Sequence, residues 1–336
     1  MQRDKMFKLN QQMHLNENIF TNKLELLPTR DGWGKALEEL GQENKNICAL
    51  TADLSGSVRT EWFEKKFPER FFNCGVAEQN MASVAAGLAM EGKKVFFSSF
   101  AVFSPGRNWD QIRVSIAYNN LDVKFSGAHA GISTGEDGAT HQALEDLALM
   151  QVLPNITVLC PSDYNQAYLA AKEAAKTSGP VYIRLGREKI PCFTTLKTPF
   201  KIGQANILKD GKDLAIFATG IEVYEALKAS KKLYEKGIDA AVVDFHTIKP
   251  IDLNTIIHFA KKCKKILVCQ EHQKNGALFG AVAQEIVQHA PGTIVFAVAI
   301  EDQFGQSGKG MELIKHYGLD EDGIYKKAIE LIEVKI

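Results

Sequence analysis

The sequence predicts two doubly wound α/β domains in tandem, and three observations predict it. Short apolar segments alternate with amphipathic ones from residue 25 to 190, the pattern of a parallel sheet covered on both faces. The alternation lapses over 191–205, where Pro191 and Pro199 interrupt a stretch of little periodicity, and resumes beyond it. The chain has 336 residues, 45% hydrophobic and 24% charged, which is enough material for two cores. The predicted organisation is a polar, irregular extension over 1–24, a first domain over 25–190, a linker over 191–205 and a second domain over 206–336.

The elements of the first domain follow in order. A helical pattern over 32–43 leads to an apolar strand over 47–52, then a helix over 61–67 and a strand over 71–76. A helix over 82–90, a strand over 95–100, a helix over 109–118 and a strand over 123–127 come next. The series closes with a helix over 141–153, a strand over 156–160, a helix over 164–176 and a strand over 181–185. In the second domain, strands are predicted over 214–218, 240–245, 266–269 and 294–299. Helices are predicted between them over 223–234 (closed by Gly237), 253–262 and 277–288, with two short helices at the end.

Forty basic residues balance forty acidic ones, so the overall field draws in neither nucleic acid nor an anionic surface. Any anion site must be local, and the expected substrate is small. Six cysteines occur with no CxxC pair and no zinc-finger histidine spacing, which predicts buried thiols in a reducing compartment. The first residues lack the apolar core of a signal peptide, and no apolar run reaches the ~18 residues of a membrane span. A soluble cytoplasmic chain is expected.

Open α/β sheets bind ligands beyond the carboxyl ends of their strands, which directs attention to the strand-to-helix corners. The first is GVAEQNM, where Glu78 stands between a strand and a helix; read alone, it is a favourable charge at the positive end of a helix dipole. The second is FFSSFAVFSP, where Phe97, Phe100 and Phe103 are either core or exposed rings able to stack on a flat heterocycle. The third, GAHAGISTGEDGATHQ, crowds His129, Asp137 and His141 among glycines that permit tight turns and close approach. Histidines there can donate hydrogen bonds or move protons near neutral pH, with metal binding by His129, Asp137 and His141 as the competing reading. The fourth is RLGREK, whose Arg187, with Arg59 after ADLSGS, suits a phosphate dianion.

Other features fail as motifs. GQSGKG over 305–310 has the wrong spacing for a phosphate loop and a glycine where the magnesium-binding hydroxyl belongs. No GxSxG elbow occurs, and no GxGxxG follows the early strands.

Taken together, GVAEQNM, FFSSFAVF, HAGISTGEDGATHQ, LPNITVLCPSD and RLGREKIP resemble the transketolase family in order, spacing and context. The second series, with DFHTIKPID and EDQFGQSG, resembles that family's C-terminal domain. The resemblance implies a thiamine-diphosphate fold of the pyrimidine-binding type followed by a transketolase C-terminal domain. It implies an enzyme of pentose phosphate metabolism that moves a two-carbon ketol unit between sugar phosphates. By the same resemblance, Glu78 hydrogen-bonds the aminopyrimidine of thiamine diphosphate, and Phe97, Phe100 and Phe103 surround that ring, with Phe100 stacking. His129 and His141 meet the substrate's hydroxyls and carbonyl and serve proton transfer, Asp137 reads hydroxyl configuration, and Arg187 and Arg59 hold the distal phosphate.

The GDG motif and downstream asparagine that bind Mg2+ and the diphosphate in this family have no counterpart in the sequence. The expectation is a split enzyme. A separate N-terminal transketolase subunit supplies the diphosphate and Mg2+ site, this chain contributes no metal ligand, and two such pairs form an α2β2 assembly. Rival expectations are a 1-deoxyxylulose-5-phosphate synthase-like half, the β subunit of a 2-oxoacid dehydrogenase decarboxylase, and a non-catalytic scaffold of the same descent.

Overall fold

A computed structural model describes residues 7–335; the first six residues of the predicted extension and Ile336 lie outside it. The first series is β1 (Leu26–Leu27), α1 (Thr29–Glu43), β2 (Ile47–Thr51), α2 (Glu61–Lys66), β3 (Phe71–Asn73), α3 (Glu78–Met90) and β4 (Lys94–Phe100). It continues with α4 (Trp109–Gln111), β5 (Val123–Ala128), α5 (Asp146–Gln151), β6 (Thr157–Leu159), α6 (Tyr164–Lys176), β7 (Val181–Arg184) and β8 (Ile190–Pro191). The second is β9 (Asn206–Lys209), β10 (Leu214–Ala218), α7 (Glu222–Glu235), β11 (Ala240–Asp244), β12 (Thr247–Lys249), α8 (Leu253–Cys263) and β13 (Lys265–Gln273). It ends with α9 (Ala277–His289), β14 (Ile294–Ile300), α10 (Gly310–His316) and α11 (Glu321–Glu333).

Two main sheets result, mainly parallel as the sequence predicts, and β1 and β8 form a separate two-stranded antiparallel sheet. The larger has the order β12-β6-β7-β5-β4-β2-β3 and is parallel except for β12. The smaller has the order β14-β13-β10-β11-β9 and is parallel except for β9. Side chains alternate along a strand, so each central strand feeds two cores. Ile47, Ala49 and Phe96 pack with Trp33, Leu37 and Phe63 of α1 and α2. Cys48, Leu50, Val95 and Phe97 pack with Met81, Ala82 and Ala85 of α3. That second cluster runs on through Leu147 and Met150 to Phe217, Phe245 and Phe259, so the two sheets share buried surface. Among the described residues no helix is long and apolar enough to cross a membrane.

Four departures from the expected elements matter. The expected helix 109–118 is a single turn, α4, continued as a π-helix over Ile112–Ala117. Helix 141–153 begins only at Asp146, because Ala143 is drawn into a parallel bridge with Ala130 and accepts the Gly131 N–H at 2.9 Å. Strand β12, three residues from the second series, crosses to the edge of the first sheet and pairs antiparallel with β6. The described part of the extension lies on the second sheet's side, with Asn10 N donating to Leu208 O and Tyr224 Oη to Ile19 O.

Candidate active site

Because β2, β3, β4, β5 and β7 run parallel, the corners that follow them open on one edge of the sheet. Glu78 is the first residue of α3, its side chain only 4% exposed, and it lies beside Arg107, whose Nη1 donates to the two carboxylate oxygens at 3.2 and 3.3 Å. Asn108 Nδ2 holds the Glu78 carbonyl at 3.2 Å and Ser104 Oγ at 3.0 Å, which ties the corner after β3 to the corner after β4. The Arg107 guanidinium also lies 4.1 Å from the centre of the Phe103 ring, a cation–π placement.

From Phe103 an aromatic row continues. Phe103 stacks on Phe100 at 5.8 Å, and Phe100 stacks on the His129 ring at 3.8 Å. The His141 ring meets Phe103 and Phe100 edge-on at 5.5 and 6.2 Å, and its Nδ1 pairs with Thr140 Oγ1 at 2.9 Å. Phe97, expected in this row, lies elsewhere. It is fully buried and stacked on Phe125 at 5.1 Å in the core beneath α3. Residues three apart on a strand point to opposite faces, so Phe97 and Phe100 cannot share one.

At the far end of the row His129 Nε2 accepts from Arg30 Nη1 at 2.9 Å. A guanidinium only donates, so the imidazole carries its proton on Nδ1, a buried atom with no hydrogen-bond partner among the described residues. Burial and then the positive charges of Arg30, Arg187 and Arg59 hold the ring down to about 3, neutral at any ordinary pH. Arg30 itself is lowered to about 10 by burial and by Arg59. These cations oppose a metal at His129, and among the described residues no group of three histidine, cysteine or acidic side chains is placed to hold one.

The three arginines are anchored at different points. Arg30 also donates to Ser57 O at 3.0 Å, and Arg59 donates to Asp31 at 2.6 Å and to Gly56 O at 2.7 Å. Arg187 donates to Thr134 O at 2.7 Å and lies 3.2 Å from Glu136 and 3.7 Å from Asp137. Thr134 Oγ1 in turn donates to the His129 carbonyl at 2.7 Å, so the loop that carries His129 and Asp137 is tied to the corner after β7. The structure thus brings together Glu78, Phe100, Phe103, His129, His141, Asp137, Arg187 and Arg59, and leaves Phe97 in the core.

Two residues here escape sequence reasoning. Arg30 stands in the first turn of α1, ahead of every motif, and reaches His129 across 99 residues of chain. Arg107 lies in the turn between β4 and α4; the SPGR string marks a turn but says nothing of Glu78.

Residues 26–191 match the family model of the transketolase pyrimidine binding domain, and residues 203–324 match that of the transketolase C-terminal domain. A protein of Methanocaldococcus jannaschii assigned as a transketolase C-terminal section is 48% identical over 304 residues, covering 90% of this chain and 95% of that protein. Human transketolase is 37% identical over 310 residues, which cover 91% of this chain but only 49% of that protein. The chain spans about half the length of such full transketolases. Among solved structures, a split-gene transketolase in an inactive β4 tetramer superposes with a TM-score of 0.86 at 44% identity, covering 92% of this chain and all of that one. The chain belongs to the transketolase family and joins that family's pyrimidine-binding and C-terminal domains.

Proposed function

We propose that this chain is the C-terminal subunit of a two-subunit, thiamine diphosphate-dependent transketolase that transfers a two-carbon ketol unit between sugar phosphates. One observation carries the reading: a buried acid, an aromatic row, two histidines and three arginines follow one another along a single sheet edge. That order matches a heterocycle at one end and a phosphorylated sugar at the other.

The residues fit the cofactor's pyrimidine end. Glu78 presents acceptor oxygens to a ring nitrogen, and Phe100 and Phe103 offer stacked faces beside it. When bound, thiamine diphosphate supplies the carbanion chemistry of the transfer. The chain's own residues do the rest. Glu78 holds a proton between its carboxylate and the ring nitrogen. Neutral His129 donates from its unpartnered Nδ1–H to a substrate oxygen, and His141, edge-on to Phe100 and Phe103, moves a proton. Arg30, Arg59 and Arg187 hold the distal phosphate, whose dianion relieves the repulsion among three crowded cations. Asp137, beside Arg187, reads the sugar's hydroxyls.

The Mg2+ and diphosphate are held by an N-terminal subunit, and two pairs assemble as α2β2. The absence of GDG from the sequence and the β4 tetramer described as inactive for a split-gene relative support this reading. The two main sheets support a division into 25–190 and 206–336, β12 excepted, and six unpaired cysteines suit a cytoplasmic protein.

The test is reconstitution with a subunit carrying GDG and the downstream asparagine. The complex should transfer a ketol unit from xylulose 5-phosphate, and Glu78→Ala should lower that rate at least ~100-fold while the complex still assembles. Transfer by the isolated chain, or activity on pyruvate in place of the ketose phosphate, would overturn the proposal.

A further inference from the structure

The second sheet has a ligand crevice of its own, and the first domain fills it. In an open α/β sheet the crevice lies where the strand order reverses. Here β10 has β11 on one side and β13 on the other, so the reversal falls between β10 and β13. Glu271, near the end of β13, lies there fully enclosed and turns its carboxylate to the first domain. Its Oε1 accepts the Ser133 N–H at 2.6 Å, and its Oε2 lies 3.6 Å from Arg184 Nη1. Arg184 also donates to the Glu271 carbonyl at 2.7 Å and to both oxygens of Asp146 at 3.2 Å, so one guanidinium bridges the two buried carboxylates. The space left beside Ser133, Arg184 and Glu271 is about 20 Å³, room for one water and no ligand.

Backbone shape agrees with this fit. Gly131 has φ 87°, and a Cβ there would stand 2.2 Å from the Glu271 carboxyl carbon, so only glycine lets the carboxylate in. On the other side lies the 305–310 segment, the glycine-rich string that is no phosphate loop. A Cβ on Gly310 would stand 2.7 Å from Ser133 O. Gln142 Nε2 bridges the two domains, donating to Gln306 O at 3.0 Å, Ile132 O at 3.2 Å and Gly135 O at 3.3 Å. The segment so gripped, 131–138, carries Asp137, and through Thr134 it sets the His129 carbonyl and Arg187.

We propose that the second domain's crevice is a seat for the substrate loop, with Glu271 a positioning residue that fixes where His129, Asp137 and Arg187 meet the sugar. The catalytic half of this statement rests on the ketol-transfer reading above; the structural half does not.

Hydrogen exchange read by mass spectrometry on the full-length chain tests the seat without a catalytic assay. Glu271→Ala should speed exchange over 131–138 by about tenfold or more while β5 and β7 keep their wild-type rates. Glu271→Gln keeps an oxygen for the Ser133 N–H and should restore most of the protection. Gly310→Ala presses a methyl group against Ser133 O and removes no charge. It should give the same loop-specific acceleration, even if Glu271→Ala does not fold. Unchanged loop rates in Gly310→Ala, or a rise shared equally by β5 and β7, would overturn the seat. In the reconstituted complex, Glu271→Ala should raise KM for the ketose phosphate about tenfold and leave half-saturation by thiamine diphosphate within about twofold. A change in the cofactor term alone would overturn the positioning role. A wild-type complex that transfers no ketol unit would sink the ketol-transfer reading and leave the exchange result standing.

Discussion

His129 shows how one side chain is prepared before any ligand arrives. Its ring stacks on Phe100 and accepts a hydrogen bond at Nε2 from the Arg30 guanidinium, which fixes the tautomer, while burial and the nearby arginines keep it neutral. The ring takes its proton at the ordinary 6.5 when unfolded and only near 3 when folded. Below 6.5 the unfolded chain therefore binds more protons than the native one, so stability falls with pH and the loss runs down to about 3. At pH 5 the wild type should have lost ~2 kcal/mol relative to His129→Asn, compared with pH 7. Urea unfolding of both proteins at the two pH values measures this, and a gap that does not change would refute the buried neutral ring. The motif around His129 is legible in the sequence as a crowd of polar residues among glycines. Arg30 is not, since a partner 99 residues away leaves no local pattern.

At the scale of the element, β4 sends its odd and even residues into two different cores, and its even face reaches the site only at the strand end, at Phe100. Phe97 points into the core and Phe100 to the site edge, with Phe103 just beyond the strand. Phe97→Ala should therefore destabilise the chain by ~3–5 kcal/mol. Phe103→Ala, whose ring is partly exposed, should cost ~1 kcal/mol and act mainly on cofactor affinity in the reconstituted complex. Thermal unfolding beside a cofactor titration distinguishes the two; equal destabilisation would contradict the assignment. Period-two alternation makes the direction of Phe97 readable, once the strand is known to run through Phe100. The late start of α5 is not readable, because it depends on Ala143 joining Ala130 and Gly131, a contact made only in the folded loop. Strand β12 is equally hidden, being three residues whose partner strand belongs to the other series.

Over the whole molecule, the N-terminal arm acts as a strap. Phe7 packs edge-on against Phe20 and Tyr234 at 5.6 and 5.7 Å, and Lys209 and Lys231 lie over these rings. Ile19 and Leu24 are buried with the second core, and His14 O accepts from Thr195 and Thr198 in the stretch between the domains. Removing residues 1–24 should cost ~3–6 kcal/mol, the burial of two aliphatic side chains, and show as a lower Tm. An unchanged Tm would mean that the strap carries no weight. The composition of the arm, polar and aperiodic, conceals this, since its anchoring is a matter of a few well-spaced rings.

Strand β12 also limits how this protein can be divided. The stretch over 191–205 looks like a hinge between separable parts, yet the first sheet closes its β6 edge with residues 247–249, which lie beyond it. A chain severed in that stretch would leave β6 bare, an open row of unpaired amides and carbonyls that invites other strands to add. The two sheets are in this sense woven rather than strung. Recombination that swaps one half for a homologue's must carry the 247–249 stitch with the first sheet, or choose a replacement that knits the same edge.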